Sequence, residues 1–387
     1  MLKKLTGVLM FLLLAGCSQQ AQSEDLSGLV IPKNFYSTEI GQCKINRRNG
    51  NEVTARTDSG EIQPIIGLDW QKHHTENSTS LRVAHEPLSR PMSFLSAVAH
   101  HAAAVKDPED IRISTEFIYQ IAQNNQFMNT VTRDESLRTQ CYAGGNTSAP
   151  CPAHAPQHLA INMTTYLLSA IWVREYFTPE QFKVIDEYID RVYSKYIIPY
   201  ATHDDRSVGF ISEMANLGMG RLAYATWKND LDLAKQEFRF RFDQIDRAIE
   251  DSGYIKGNSY RGVRGIFYHS MGVDITLTYI QLAKAWNYPV SDRVLEKAKK
   301  SAELVNVYSR NPSDFYNFPS WKVPFNSSKD PKEAAGIHQL AISLGPLMKN
   351  VAGLEFLSEP RYERLRRREI IDVMVGFDPV CMFAQAK

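Results

Sequence analysis

From Pro91 onward, apolar residues recur at three- and four-residue spacings, the period of a helix with one buried face. Ser89-Arg90-Pro91 opens a predicted helix through about Val105, and Pro108 starts a second that runs to about Met128. The stretch 134–156, with Gly144-Gly145 and several prolines, reads as a loop. A helix is expected over 157–176. Thr178-Pro179-Glu180-Gln181 then combines an N-cap, a first-turn proline and a capping-box Gln, so another should run from there to about Ile198. Further helices fit 209–227, 230–251, 268–287, 292–309, 332–349 and 360–374. Strand signals are few and short, and no tetratricopeptide-like repeat is legible. Consecutive helical hairpins without heptads make the chain all-α, as an α/α toroid or an α-solenoid. Residues 29–90 show no sustained period and carry turn groups such as Arg48-Asn49-Gly50-Asn51, so they form an irregular N-terminal arm ahead of a 91–387 helical domain.

The first residues have a different pattern. Met1-Leu2-Lys3-Lys4 is a short basic start, and Leu5 to Gly16 is apolar but shorter than the about 20 residues a membrane span needs. This is the design of a secretory signal peptide. Leu14-Ala15-Gly16-Cys17 resembles the bacterial lipobox, which implies cleavage after residue 16 and lipidation of Cys17. Residues 17–28 are polar and read as a tether. Ser18, rather than Asp, follows the Cys, which implies the outer membrane, with the domain facing the periplasm. Beyond Cys17 there are four cysteines, and an even number in an exported protein favours disulfides. Three pairings are open. The expected one joins Cys141 to Cys151 across a Gly/Ser/Pro loop and Cys43 to Cys381 at the two ends of the domain.

Charge adds an exclusion. Lys and Arg number 44 against 43 Asp and Glu, so neither nucleic acid nor an anionic surface is indicated as a partner. No Walker loop, dinucleotide glycine pattern or Gly-x-Ser-x-Gly elbow appears, and no cofactor is expected. His73-His74 and His100-His101 are adjacent pairs whose members point about 100° apart on a helix, which is poor geometry for joint metal ligation. No metal is expected. Trp70, Tyr316 and Trp321 have the chemistry to stack on sugar rings, but aromatics are abundant here and core roles account for them.

The most concentrated chemistry is Gly253-Tyr254-Ile255-Lys256-Gly257-Asn258-Ser259-Tyr260-Arg261-Gly262-Val263-Arg264-Gly265-Ile266-Phe267-Tyr268-His269. It is a polar, glycine-rich connection that feeds an apolar helix. Arg264 and Tyr268 are four apart, so one helical turn puts them on one face. A guanidinium binds a carboxylate bidentately and favours a neighbouring tyrosinate, a pair suited to an acidic sugar. The bland alternative is an Arg/Tyr pair that caps a helix start and does nothing else.

This block resembles the signature of the alginate lyase family, polysaccharide lyases built on an incomplete α/α toroid. In that family a Gly and a short Asn-containing loop lead into Arg-Gly-x-Arg, then small, apolar and variable residues, then Tyr-His. Here the Arg-Gly-x-Arg and Tyr-His parts are Arg261-Gly262-Val263-Arg264 and Tyr268-His269. Glu237-Phe238 and Gln244-Ile245-Asp246 resemble the family's preceding helix, and the likeness extends over roughly 157–350. The resemblance implies an incomplete α/α toroid and β-elimination on an acidic, uronate-containing exopolysaccharide. Arg264 would neutralise the uronate carboxylate or stand next to the group that does, and Tyr268 would act as acid, or as acid and base, with His269 orienting or assisting. Arg261, Asn258 and Tyr260 would bind substrate, as would Asn162 and His158, which lie four apart on the 157–176 helix.

One departure stands out. The family carries Asn-Asn-His where this chain reads Gly209-Phe210-Ile211-Ser212-Glu213-Met214-Ala215-Asn216. Glu213 or Asn216 takes the equivalent place, as further candidate substrate contacts. The missing His favours an alternative, an inactive lyase-like lipoprotein that binds polysaccharide beside an exopolysaccharide secretion machinery or in a biofilm.

Overall fold

The computed structural model describes residues 26–36, 81–128, 154–201, 211, 213–260, 265–311, 314–315 and 337–356, with residues 81–90, 93, 154–158, 200, 213–217 and 337–343 described by backbone alone. The signal peptide, Cys17, Cys43, Cys141, Cys151, Cys381, Trp70, Tyr316, Trp321, Arg261, Arg264 and the expected 360–374 helix lie outside the described residues. Among the described residues the architecture is helical. A single bridge pairs Ile249 with Ile255, and no helix is long and apolar enough to cross a membrane.

In chain order the helices are α1 (Leu81–Val105), α2 (Pro108–Gln123), α3 (His154–Trp172), α4 (Pro179–Val192), α5 (Ile198–Ala201), α6 (Glu213–Lys228), α7 (Leu231–Ala248), α8 (Lys256–Ser259), α9 (Gly265–Ala285), α10 (Asp292–Arg310) and α11 (Ile337–Ala352). A one-turn π-helix, Tyr193–Ile197, joins α4 to α5. The expected capping box is present: Gln181 N–H donates to Thr178 Oγ1 at 3.2 Å and Thr178 N–H donates to Gln181 Oε1 at 3.0 Å. Asp107 caps α2 from one side only, its side chain accepting from the N–H groups of Glu109 and Asp110.

The helices sort into two layers by the width of their apolar faces. α9 reads Gly-Ile-Phe-Tyr-His-Ser-Met-Gly-Val-Asp-Ile-Thr-Leu and is buried on nearly every side, down to Ser270, Thr276 and Thr278. α3 is equally apolar all round. Helices of this kind belong in an interior. By contrast α4, α7 and α10 have one apolar stripe and a charged back. Accordingly α1, α3 and α6 pack side by side, α9 packs on α11, and the outer α2, α4, α7 and α10 cover them. Of the inner helices α1, α3, α6 and α9 run parallel, while α11 runs the other way, its trailing Glu355 carbonyl accepting from Asn306 near the end of α10 at 3.0 Å. The N-terminal ends of those four gather at one rim of the toroid and their C-terminal ends at the other. At the second rim Arg174, just past α3, donates to the carbonyl of Trp227 near the end of α6 at 2.7 Å.

Two features differ from the sequence expectation. α1 begins at Leu81 rather than Pro91, so the irregular arm is shorter than 29–90. The spacing of Leu81, Ala84, Leu88, Met92 and Leu95 carries this earlier start, and Pro91 lies inside the helix instead of opening it. In addition, residues 26–36 are irregular yet well packed: Leu29, Phe35 and Tyr36 are buried against the end of the toroid.

Candidate functional site

The 253–269 block is built around a left-handed turn at Gly253, whose φ is +92°. A side chain there would also meet the backbone of Lys300 at 2.7 Å, so glycine is required on two counts. Beyond it Tyr254 is buried and donates to the carbonyl of Phe315 at 2.9 Å. The chain then makes the single turn of α8 and enters α9 at Gly265.

Asn258 sits at the centre of this corner with no exposed surface. Its Oδ1 accepts from Ile211 N–H at 2.9 Å, while its Nδ2 donates to the carbonyls of Ile211 at 2.7 Å and Tyr268 at 2.6 Å. The carboxamide thus stands in for a missing backbone partner, tying the residue that leads into α6 to the first turn of α9. This corrects its expected role. Asn258 is a positioning residue and cannot reach a ligand. Asn258→Ala should lower the unfolding free energy by about 1–3 kcal/mol, since it strands buried backbone groups. Asn258→Asp should cost no less, because a carboxylate would face two carbonyl oxygens. Urea unfolding of the two variants checks this, and midpoints equal to the wild type would contradict the clamp.

His269 requires the same correction. Its ring is wholly buried, with Nδ1 2.8 Å from Ser259 Oγ and Nε2 3.0 Å from the carbonyl oxygen of Ser301. A carbonyl only accepts, so Nε2 carries the proton and Ser259 donates to Nδ1. Ser259 Oγ in turn accepts from Ile255 N–H at 2.8 Å. His269 is therefore a neutral pin between α8, α9 and α10 and touches no substrate. Burial lowers its pKa to about 4, although its bond to the Ser301 carbonyl opposes the shift. His100, buried against Trp172 and 2.6 Å from the Tyr36 hydroxyl, is likewise lowered to about 4, by burial and then by His101.

These two rings set a pH dependence of stability. Below the ordinary 6.5 the unfolded chain takes up protons that the native rings refuse. Stability should therefore be full above pH 6.5, fall as pH drops towards about 4, and stop falling on this account below that. Denaturant midpoints across pH 7 to 4 measure it. His269→Gln should flatten part of the slope, and an unchanged slope would refute the assignment.

Tyr268 stands differently. It lies on the first turn of α9 and is only half-buried, with its ring edge-on to Phe267 at 5.2 Å and its backbone held by Asn258. Tyr260 is also half-buried, but its hydroxyl donates to Glu250 Oε2 at 2.8 Å and its ring stacks on Tyr254. That phenol is engaged within the loop rather than offered to a sugar, contrary to expectation. Asn162 is buried on α3. His158 lies in the first turns of α3, and Glu213 and Asn216 in the first turn of α6. By backbone position these three stand at the same rim as Tyr268.

A buried charge cluster between α6, α7 and α9 was not anticipated. Glu237 Oε2 accepts from Arg221 at 3.0 Å, and Oε1 accepts from Arg241 at 3.1 Å and from the Tyr279 hydroxyl at 3.0 Å. Arg241 also donates to Gln244 Oε1 at 2.5 Å and to the carbonyl of Ala201 at 3.2 Å. Glu237 and Arg241 have no exposed surface. Only a glycine at 218 lets α6 lie over them, since a Cβ there would fall 1.9 Å from Glu237 Oε1. Burial works against the Arg241 charge, but the Glu237 carboxylate outweighs it and the pKa is raised. No group of His, Cys, Asp and Glu among the described residues is arranged to hold a metal.

No family model matches the chain, and no curated protein matches it in sequence. Solved structures do match. Alginate lyase A1-III from Sphingomonas species A1 superposes on 94% of this chain and 100% of its own, with a TM-score of 0.57 and 11% identity. Two variants of alginate lyase A1-III complexed with a tetrasaccharide, one a tyrosine-to-phenylalanine and one a histidine-to-alanine substitution, each give a TM-score of 0.55 over 94% of this chain and 99% of theirs, at 10% and 11% identity. The chain has an alginate-lyase-like fold, an α/α toroid.

Proposed function

We propose that this protein is a lipoprotein, anchored through Cys17 at the outer membrane and facing the periplasm, that cleaves a uronate-containing exopolysaccharide by β-elimination. The observation that carries the reading is the setting of Tyr268: a half-buried tyrosine on the first turn of an inner helix, at the rim where α3 and α6 also begin, its backbone tied to the α6 entrance by Asn258. The alginate-lyase-like fold supports it, as do the tetrasaccharide complexes of that enzyme.

In this reading Arg264 pairs with the uronate carboxylate, which acidifies the adjacent C5 proton. A base removes that proton, the C4–O bond breaks, and Tyr268 delivers a proton to the leaving oxygen. Electrons from the C5–H bond form the C4=C5 double bond. The Cys141–Cys151 and Cys43–Cys381 disulfides belong to the same exported setting. The test is to incubate the purified domain with a panel of polyuronates and follow the ultraviolet absorbance of the unsaturated product. Product from at least one polymer is expected, and none from any would sink the lyase reading.

The absence of His from Gly209 to Asn216 favours a second reading, an inactive lyase-like protein that holds acidic polysaccharide beside an export or biofilm assembly. Retention of a polyuronate without product would select it.

A further inference from the structure

Residues 26–36 join helix ends that are far apart in sequence. Val30 N–H donates to the carbonyl of Trp286 at 3.0 Å, and the Trp286 indole donates back to the carbonyl of Phe35 at 2.6 Å. Residues 30–35, which fold into a turn with Phe35 N–H donating to the carbonyl of Pro32 at 3.2 Å, thus cross the C-terminal end of α9. The Trp172 indole at the end of α3 donates to the carbonyl of Asn34 at 3.3 Å, and Tyr36 reaches His100 on the last turns of α1. Phe35 and Tyr36 meet Trp286 and Trp172 edge-on, with their rings buried. Lys33 closes an outer contact with Glu175 at 3.1 Å. This strap therefore lies across the rim where α1, α3 and α9 end.

Tyr268, His158, Glu213 and Asn216 are all at the opposite rim. Trp286, just past the end of α9, lies eighteen residue steps from Tyr268, about 27 Å at 1.5 Å per residue. Eight residues lie between Cys17 and Leu26, nine steps of chain with a reach of at most about 32 Å. The exposed large apolar side chains are also unevenly shared. Of the five among the described residues, Val30 and Val105 sit at the strap and the end of α1, while Leu231 and Leu295 open α7 and α10 at the same rim. Only Ile198 lies elsewhere.

We infer that the strap orients the toroid on the membrane: the rim carrying Trp172 and Trp286 faces the lipid surface, and the Tyr268 rim faces away, open to polymer. The inference rests on the lipid anchor at Cys17 but not on catalysis. A tether that met the domain on a loose arm would let it tumble and expose either rim. A tether ending in a strap with two indole bonds and two buried rings holds one rim down, and four exposed aliphatic side chains have somewhere to rest.

The experiment uses the full chain, lipidated in a bacterial host and reconstituted in phosphatidylethanolamine/phosphatidylglycerol vesicles. A photo-crosslinking amino acid replaces either Lys284, exposed on the last turn of α9, or Ser252, exposed in the turn at the Tyr268 rim. Irradiation should label lipid from position 284 and leave position 252 at the background of the unlipidated Cys17→Ser chain. Equal labelling from both positions, or labelling from 252 alone, overturns the orientation. If the chain carrying Cys17 fails to enter vesicles at all, the anchor is wrong and the orientation falls with it, while the polyuronate assay still decides the lyase reading separately.

Discussion

Tyr268→Phe is expected to abolish product formation on any polyuronate the wild-type protein cleaves, lowering kcat about 10²–10⁴-fold with little change in KM. The expectation follows from what the substitution removes. Ring packing against Phe267 is unaltered, and the Asn258 bond goes to the Tyr268 backbone carbonyl, which a Phe supplies equally well. Folding and binding should therefore survive, and only the proton-bearing oxygen is lost. A deficit of this size amounts to about 3–5 kcal/mol of transition-state stabilisation. Initial rates by ultraviolet absorbance measure it, with a thermal melt as the control for folding. A variant that turns over at the wild-type rate would remove Tyr268 from the chemistry. A variant whose KM alone rises would make it a binding residue.

That prediction rests on a residue the sequence singles out, but its neighbours show where sequence reasoning ends. Arg-Gly-x-Arg and Tyr-His mark the block because their residue types have chemistry. Nothing in the residue types distinguishes the half-exposed Tyr268 from the wholly buried His269 beside it. Adjacent residues on a helix point about 100° apart, and which of them stays partly exposed depends on α10, whose Ser301 carbonyl accepts a hydrogen bond from His269. Asn258 hides its role for a similar reason. A loop asparagine is a fair candidate to contact sugar, and only the tertiary approach of Ile211 makes it a backbone clamp. The layer assignment, in contrast, follows from the residues once the helix bounds are known. α3 and α9 are apolar on every face and α4, α7 and α10 on one, which is the difference between inner and outer helices of a toroid. The strap was legible only in part, because indole donors at Trp172 and Trp286 give no hint in sequence that carbonyls of residues 34 and 35 receive them.

Glu237→Ala is expected to destabilise the protein by about 3–5 kcal/mol, enough to lower its melting temperature sharply. The sequence carries half of the reason. Glu237, Arg241 and Gln244 are spaced four and three apart, a pattern that on an exposed helix is worth a few tenths of a kcal/mol per pair. Here the same residues lie under α6 and against Tyr279, with no exposed surface on Glu237 or Arg241. Desolvating charges is costly in itself, so the intact cluster adds little net stability, whereas breaking it leaves two guanidiniums buried without their carboxylate. Arg221 is the more vulnerable of the two. Its Nε has no hydrogen-bond partner among the described residues even in the intact protein, and Glu237 is its salt-bridge partner at 3.0 Å. Glu237→Gln keeps acceptors for Arg241 and Tyr279 while removing the charge, so it separates hydrogen bonding from electrostatics. It should fall between the wild type and Ala. If both substitutions unfold at the wild-type urea midpoint, the cluster is not buried as described, and the packing of α6 over α7 at Gly218 is wrong with it.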